Sequence, residues 1–212
     1  MVRDPSSAGQ EEQDSPVRSE PRPGRGRRPA QQVRSQILAA ADRLLRSEGM
    51  AGFSIERVAA LAGASKMTIY KWWPTKGVLA FEAYAASVDD VLTMPDTGDI
   101  EADLTANVTT FVRLLRDTAA GRVMAELIGA AQTDPQLAAT FRRVYLVPRR
   151  AVGIAALQVA RQRGQIRSDV DLEVLSDQLW GACMYRLMMQ HEPLTEHLAA
   201  ELVRNLLTGV RP

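Results

Sequence analysis

The sequence lacks several features that would each have suggested a function. Cys183 is the one cysteine in 212 residues, which excludes a disulfide scaffold and any zinc site built on several thiolates. The longest stretch without a charged side chain is the ten residues Ala151 to Ala160, well short of the roughly 20 apolar residues that a membrane-spanning helix needs. The first residues run through Pro, Ser, Glu and Arg with no apolar block, unlike a secretory signal. A cytoplasmic chain without membrane contact is expected. No phosphate-binding glycine loop and no catalytic grouping are visible. The two histidines, His191 and His197, are six apart, on different helical faces or astride Pro193, and neither has a cysteine nearby. No catalytic residue, metal or cofactor is called for, and the chain is not expected to be an enzyme.

Lysine is scarce as well, and its placement is informative. Of 26 basic residues only Lys66, Lys71 and Lys76 are lysines, all within eleven positions. The net charge of +1 averages two unlike halves: residues 1–80 hold 13 basic and 8 acidic groups, and residues 81–212 hold 13 and 17. Over residues 15–80 the tally is 12 against 4. A basic front on an acidic back is either a solvated face or a nucleic-acid contact confined to the N-terminal part.

What is present is helical periodicity. Residues 1–30 are rich in proline and show none, so they are read as a disordered basic arm. From Gln31, the residues Val33, Ile37, Leu38, Ala41, Leu44 and Leu45 recur at helical spacing, and Gly49 stops the helix. Ser54 caps a short second helix, Gly63-Ala64 breaks it, and Ser65 opens a third through Trp73. Pro74-Thr75 then leads into a fourth, Lys76 to about Val88. Beyond a linker at Thr93 to Asp99 the helices lengthen: Glu101–Asp117, Ala120–Gln132, Pro135–Arg163, Leu172–Gln190 and Thr195–Thr208. Pro148 should kink or split the third of these. No alternating strand pattern and no repeat appears. The expected fold is all-α with about nine helices, divided into the arm, a unit at 31–91 and a larger unit at 99–212.

Three short helices with a glycine-containing turn between the second and third follow the plan of a helix-turn-helix, whose second helix meets the major groove. On that helix Ile69 and Trp73 should face the core. Lys66, Met67, Tyr70 and Lys71 fall on other sides, with Thr68 and Trp72 paired four apart. Two ammonium groups, two hydroxyls and two aromatic edges suit phosphate anchoring with limited base reading.

The run from Ala59 to Lys76, AALAGASKMTIYKWWPTK, resembles the DNA-binding signature of the TetR family of bacterial repressors. The close match covers about residues 31–85. The resemblance implies that Lys66, Met67 and Thr68 enter the groove, that Tyr70, Trp72 and Lys76 contact phosphates, and that Ser54 both caps its helix and offers a hydroxyl to a phosphate. Ser65 and Lys71 complete the set. Two positions depart from the family pattern: Met67 stands where a small residue or proline is common, and Gly77 where an acidic residue is usual. The second departure should weaken the start of the fourth helix by about 1 kcal/mol. In the arm, Arg25, Arg27 and Arg28 resemble a minor-groove hook, with a solvated tail as the alternative.

In the larger unit, Leu172–Gln190 is apolar on two sides, Leu172, Leu175, Leu179 and Ala182 on one and Trp180, Met184 and Leu187 on the other. A helix apolar on both sides must be covered on both. With Leu198, Leu202 and Leu206 of the last helix, the residues Leu175, Leu179 and Ala182 are the candidate dimer interface, and the resemblance implies a four-helix dimer bundle. Phe111, Met124, Leu127, Ile128, Tyr145, Met184 and Met188 either form plain core or line a ligand pocket, as in the family. Arg149, Arg150 or Arg186 could hold an anionic group there. Together these features predict a homodimeric repressor released from a palindromic operator by a small, largely apolar ligand. Two rivals remain: a constitutive or activating DNA-binding factor, and a helical enzyme or adaptor whose basic unit binds RNA or protein.

Overall fold

The computed structural model describes residues 29–89 and 91–212, and among these residues there is no strand. The arm with Arg25, Arg27 and Arg28 lies outside the described residues. The chain opens on α1 (Ala30–Gly52), which buries Ile37, Ala40, Ala41, Leu44 and Leu45 along one face. Helical geometry breaks at Gly49, where φ is +68°. Only glycine adopts that conformation without strain, and a Cβ there would also collide with Arg122 and Glu126.

Next come α2 (Ile55–Ala62), α3 (Lys66–Trp72) and α4 (Lys76–Val88). Each starts on a hydroxyl: Ser54 accepts from Arg57 N, Ser65 from Thr68 N and Thr75 from Val78 N. Gly63 turns the chain between α2 and α3 at φ +60°. Ile69 and Trp73 are both fully buried, so the short helices are held by a shared core with Phe53 and α1 rather than by their own propensity. α4 packs on α1 and also reaches the second half of the chain.

That half comprises α5 (Ile100–Asp117), α6 (Ala120–Ala131), α7 (Pro135–Phe141), α8 (Val147–Gln162), α9 (Leu172–Met189) and α10 (Glu196–Val210). Here three helices are capped by carboxylates, Asp99, Asp134 and Asp171. Between α7 and α8 lies a five-residue π turn, Arg142–Leu146, so the expected break at Pro148 takes a different form. Proline lacks the N–H that would reach back four residues. The chain widens one turn before it, and Val147 N–H bonds the carbonyl of Arg142. If α7, the π turn and α8 count as one rod, the described residues contain nine rods. α5 lies along α10 and α6, and α8 along α9. No described helix is long and apolar enough to cross a membrane.

Candidate functional site

The first candidate surface is the outer side of α3. Met67 at its first turn is 81% exposed, an unusual position for a large apolar side chain without a partner surface. Tyr70 is half exposed, Lys66, Lys71 and Lys76 are exposed, and Thr68 and Trp72 are partly covered. The Ser65 hydroxyl caps α3 and lies 2.9 Å from Thr68 Oγ1. Ser54, partly buried, caps α2. Trp72 packs edge-on to Trp73 at 5.6 Å between centroids. Lys66 Nζ sits 3.1 Å from Glu56 of α2. The Glu56 carboxyl is held below the usual carboxylate range, first by a backbone N–H and then by Lys66.

Behind α3 a polar junction ties this surface to the rest of the molecule. Glu82 of α4 accepts from Trp73 Nε1 at 2.9 Å and from Arg34 at 2.5 Å on one oxygen, and from Arg143 of the π turn at 3.4 Å on the other. The Arg34 guanidinium also lies over the Trp73 ring, 5.3 Å from its centroid. A second tie closes the end of α1: Arg122 of α6 donates to the Arg46 carbonyl at 2.9 Å, and Glu126 accepts from Met50 N at 2.7 Å. These partners are far apart in sequence, and no local pattern could have revealed them.

The second candidate is a cavity of about 470 Å³ among α5, α6, the π turn, α8 and α9. Phe111, Met124, Ile128, Tyr145, Trp180, Met184 and Met188 supply much of its apolar wall, and Asn107, Arg149, Arg150 and Asp177 its polar points. Phe111 meets Trp180 edge to face at 5.3 Å. Tyr145 stacks on Phe141 and, across the junction, lies 5.8 Å from the Tyr84 ring of α4. Burial pushes the Tyr145 hydroxyl up to about 12 and the Tyr84 hydroxyl up as well, so both are neutral donors at neutral pH. Tyr84 Oη is buried without a hydrogen-bond partner among the described residues.

Comparison with known proteins agrees with this geometry. Residues 37–83 match the model of the bacterial regulatory proteins of the tetR family, and residues 94–206 that of the tetracyclin repressor-like C-terminal domain. The chain belongs to the TetR family. It is a DNA-binding transcriptional regulator. One relative is the uncharacterized HTH-type transcriptional regulator YdeS of Bacillus subtilis, 34% identical over 88% of this chain and 94% of its own. Another is the DNA-binding transcriptional repressor TetR of Mycobacteroides abscessus, 33% identical over 83% and 93%. The crystal structure of the TetR family transcription regulator SCO0332 superposes with a TM-score of 0.79 at 49% identity, covering 85% of this chain and all of that one.

For a TetR-family chain, three sequence expectations need correction. Leu175 and Leu179 were expected at a dimer interface, but each is only 2% exposed in the single chain. They lie in its own core beside Cys183, because the stripe they share with Leu172 turns inward. The outward stripe of α9 is instead Val174, Gly181, Tyr185 and Met189, with Val174 51% and Tyr185 and Met189 each 59% exposed. Ala182, Leu198, Leu202 and Leu206 are partly covered. Leu127 was expected at the cavity and is fully buried without lining it. Gly77, expected only to weaken α4, is buried where a Cβ would stand 3.1 Å from Leu137 Cδ1, so its lack of a side chain lets α4 approach α7. Among the described residues no group of three His, Cys, Asp or Glu could hold a metal ion.

Proposed function

We propose that this regulator is a cytoplasmic homodimeric repressor that holds a palindromic operator with two copies of α3 and releases it when a small, largely apolar compound fills the cavity. The observation that carries the reading is the cavity's position. Its wall includes the π turn, which also sends Arg143 to Glu82 and thence to Trp73 at the end of α3. A compound that moves that turn therefore acts on the α3 surface through two side chains.

In this reading Lys66, Met67 and Thr68 enter the groove, and Ser54, Tyr70, Lys71, Trp72 and Lys76 hold phosphates. Ser65 keeps its place as the cap of α3. Met67, 81% exposed among the described residues, touches a thymine methyl group in this reading. The partner subunit packs against Val174, Gly181 and Tyr185 of α9 and Leu198, Leu202 and Leu206 of α10. Gly181 has open space in front of it and also lines the cavity, so a partner helix that comes close there borders the ligand site. The repressor sense is supported by the name of the Mycobacteroides relative.

The test joins the three parts. Full-length protein is incubated with random duplexes, bound sequences are selected, and the consensus is inspected for a palindrome with half-sites about one helical turn apart. Sedimentation at micromolar concentration should show a dimer, and Leu202→Glu should make it a monomer that loses the operator. A library of apolar compounds is then screened for thermal stabilisation, and hits are carried into DNA release. A coupling of about 1–3 kcal/mol would weaken DNA binding 5- to 150-fold. Binding to all duplexes alike would exclude the repressor reading, and stabilising hits without release would leave a DNA-binding factor with no switch.

A further inference from the structure

We propose that the compound taken by the cavity is an apolar monocarboxylate, and that its carboxylate acts by drawing the Arg149 guanidinium away from the C-terminal end of α4. This rests on the reading of the cavity as an effector site and names the chemistry of its ligand.

The polar points of the wall differ in what already answers them. The Asn107 amide donates to the Thr93 carbonyl at 2.8 Å. Arg150 is neutralised by two carboxylates, Asp177 and Glu173, the latter at 2.6 Å. Arg149 is different. Its Nη1 donates to the Leu92 carbonyl at 2.7 Å, and its Nη2 to the carbonyls of Val88 and Asp89 at 3.0 and 3.2 Å. Its carboxylate partner among the described residues is Asp89, at 3.1 Å, whose side chain is 78% exposed and therefore screened by water. Arg149 itself is only 22% exposed. The cavity wall thus holds a mostly covered cation answered by backbone dipoles and one solvated carboxylate. A carboxylate arriving inside the apolar cavity offers two charged oxygens in the fork geometry that guanidinium fits, a stronger partner than neutral carbonyls.

The carbonyls that Arg149 would leave are those at the end of a helix, where the last four have no partner within the helix. Val88 is the final residue of α4 and Asp89 its C-cap. Without the guanidinium these oxygens must find water or new donors, so the end of α4 loosens. The other end of the same helix carries Lys76 and the Thr75 cap, and its middle carries Glu82, which holds Trp73 at the end of α3. The release therefore loosens one end of the same helix whose start and middle support the proposed DNA-facing surface. By linkage, DNA that favours the latched α4 weakens carboxylate binding by the same factor.

The experiment uses the full chain and two matched pairs of probes, decanoic acid with decanol and 2-naphthoic acid with 2-naphthalenemethanol. Binding is followed by calorimetry, and amide hydrogen exchange is followed across residues 84–92. In the wild type each acid should bind at least tenfold more tightly than its alcohol and should speed exchange at the end of α4. In Arg149→Gln the acid–alcohol difference should shrink to within twofold, and the end of α4 should exchange rapidly without any probe. Arg149→Lys, which keeps the charge and loses the fork, should fall between them, and a thermal melt checks that both variants are folded. Equal affinity for acid and alcohol in the wild type overturns the proposal while leaving an effector cavity in place. So does a preference that survives Arg149→Gln, or exchange that no acid changes. If neither member of either pair binds, the cavity reading and this inference fall together. None of these readouts needs DNA, so a failure of operator binding stays separate.

Discussion

The two halves of the molecule start their helices with different chemistry. At the end proposed to face DNA the three caps are hydroxyls, Ser54, Ser65 and Thr75. In the larger half Asp99, Asp134 and Asp171 do the same work with carboxylates, Thr195 caps α10 with a hydroxyl, and the Thr118 hydroxyl accepts from Ala120 N at the start of α6. As caps the two chemistries are nearly equivalent in stability, and a carboxylate even gains slightly from the helix dipole. They are not equivalent to a phosphate. At α3 and α4, whose first turns hold no acidic residue, a neutral cap leaves the positive start of the helix uncovered, whereas a carboxylate cap covers it with negative charge, as Glu56 in the first turn of α2 also does. If α3 meets DNA as proposed, the neutral caps of α3 and α4 suit a polyanionic partner in a way that carboxylate caps would not.

The largest effect should come from exchanging the two chemistries. Ser65→Asp and Thr75→Asp should each leave the melting temperature within about 2 °C of wild type, because Asp and Ser cap about equally well. Each should lower operator affinity by roughly ten- to a hundredfold, since a negative charge is placed among phosphate contacts worth about 1–3 kcal/mol. The reverse changes, Asp99→Ser and Asp171→Ser, should leave DNA affinity unchanged. Fluorescence anisotropy at two salt concentrations, beside thermal melts, measures both properties. If Ser65→Asp bound operator as wild type does, the cap comparison would lose its functional meaning.

The junction between the halves offers a second test, of stability. Gly77→Ala trades overpacking against Leu137, whose Cδ atoms would lie 3.1 and 3.3 Å from the new Cβ, against the roughly 1 kcal/mol that alanine gains over glycine in a helix. The two nearly cancel, so its unfolding free energy should stay within about 1 kcal/mol of wild type. Gly77→Glu adds a carboxylate at a buried position and should lose about 2–3 kcal/mol in urea unfolding. Stabilisation by Gly77→Glu would show that the close approach of α4 to α7 carries no constraint.

Much of this architecture was legible because its determinants are local. Ser54, Ser65, Thr75, Asp134 and Asp171 announce helix starts within four residues of the groups they cap, and Gly49 and Gly63 announce stops. The inward turn of Ile69 and Trp73 follows from their spacing of four. What could not be read depends on which surface each stripe meets. Both stripes of α9 named from the sequence are apolar, and composition alone cannot say that Leu175 and Leu179 turn into the core, that Trp180 and Met184 line the cavity, and that a third side with Val174 and Tyr185 is left exposed. Glu82 looks like an ordinary surface glutamate until folding brings Arg34, Trp73 and Arg143 to it from positions 48, 9 and 61 residues away. Gly77 read as a cost to α4 because Leu137, sixty residues on, was invisible to a local argument.

A smaller effect concerns Lys66, the cation whose ion pair joins α3 to α2. Glu56 holds it at 3.1 Å on a surface where both side chains are more than half exposed, so the pair adds little to stability. It does hold a nearby negative charge against DNA. Glu56→Gln should therefore raise operator affinity about two- to fivefold and steepen the salt dependence slightly, while Lys76→Ala should weaken binding to every sequence and lower the salt slope by about one. Parallel salt titrations of the two variants distinguish a groove-side lysine from a phosphate-side one. Weaker binding by Glu56→Gln would mean that the carboxylate positions Lys66 instead of competing for it.

The smallest effect, absent at neutral pH, comes from what each half buries. The core around α3 is sealed by Phe53, Ile69 and Trp73, none of which titrates. The larger half buries Cys183 completely, and desolvation raises its thiol from 9.0 to about 11. The folded thiol therefore holds its proton in a window where the unfolded one has lost it, so the folded state binds more protons and stability falls as pH rises. The contribution is whole below pH 9 and is lost as pH climbs from 9 through about 11. By pH 10 a shift of this size removes on the order of 1 kcal/mol. Urea unfolding at pH 8 and pH 10 should show that loss in the wild type and a loss smaller by about the same amount in Cys183→Ala, measured against that variant's own stability at pH 8. Tyr145, raised to about 12 from 10.0, should add its own loss one pH unit higher, which Tyr145→Phe removes. Hydrogen exchange at pH 10 would then find the added opening in α8 and α9 and not in α2 and α3. Equal loosening of α2 and α3 would mean that the molecule opens only as a whole, and that these two helices share the alkaline sensitivity of buried groups that lie elsewhere.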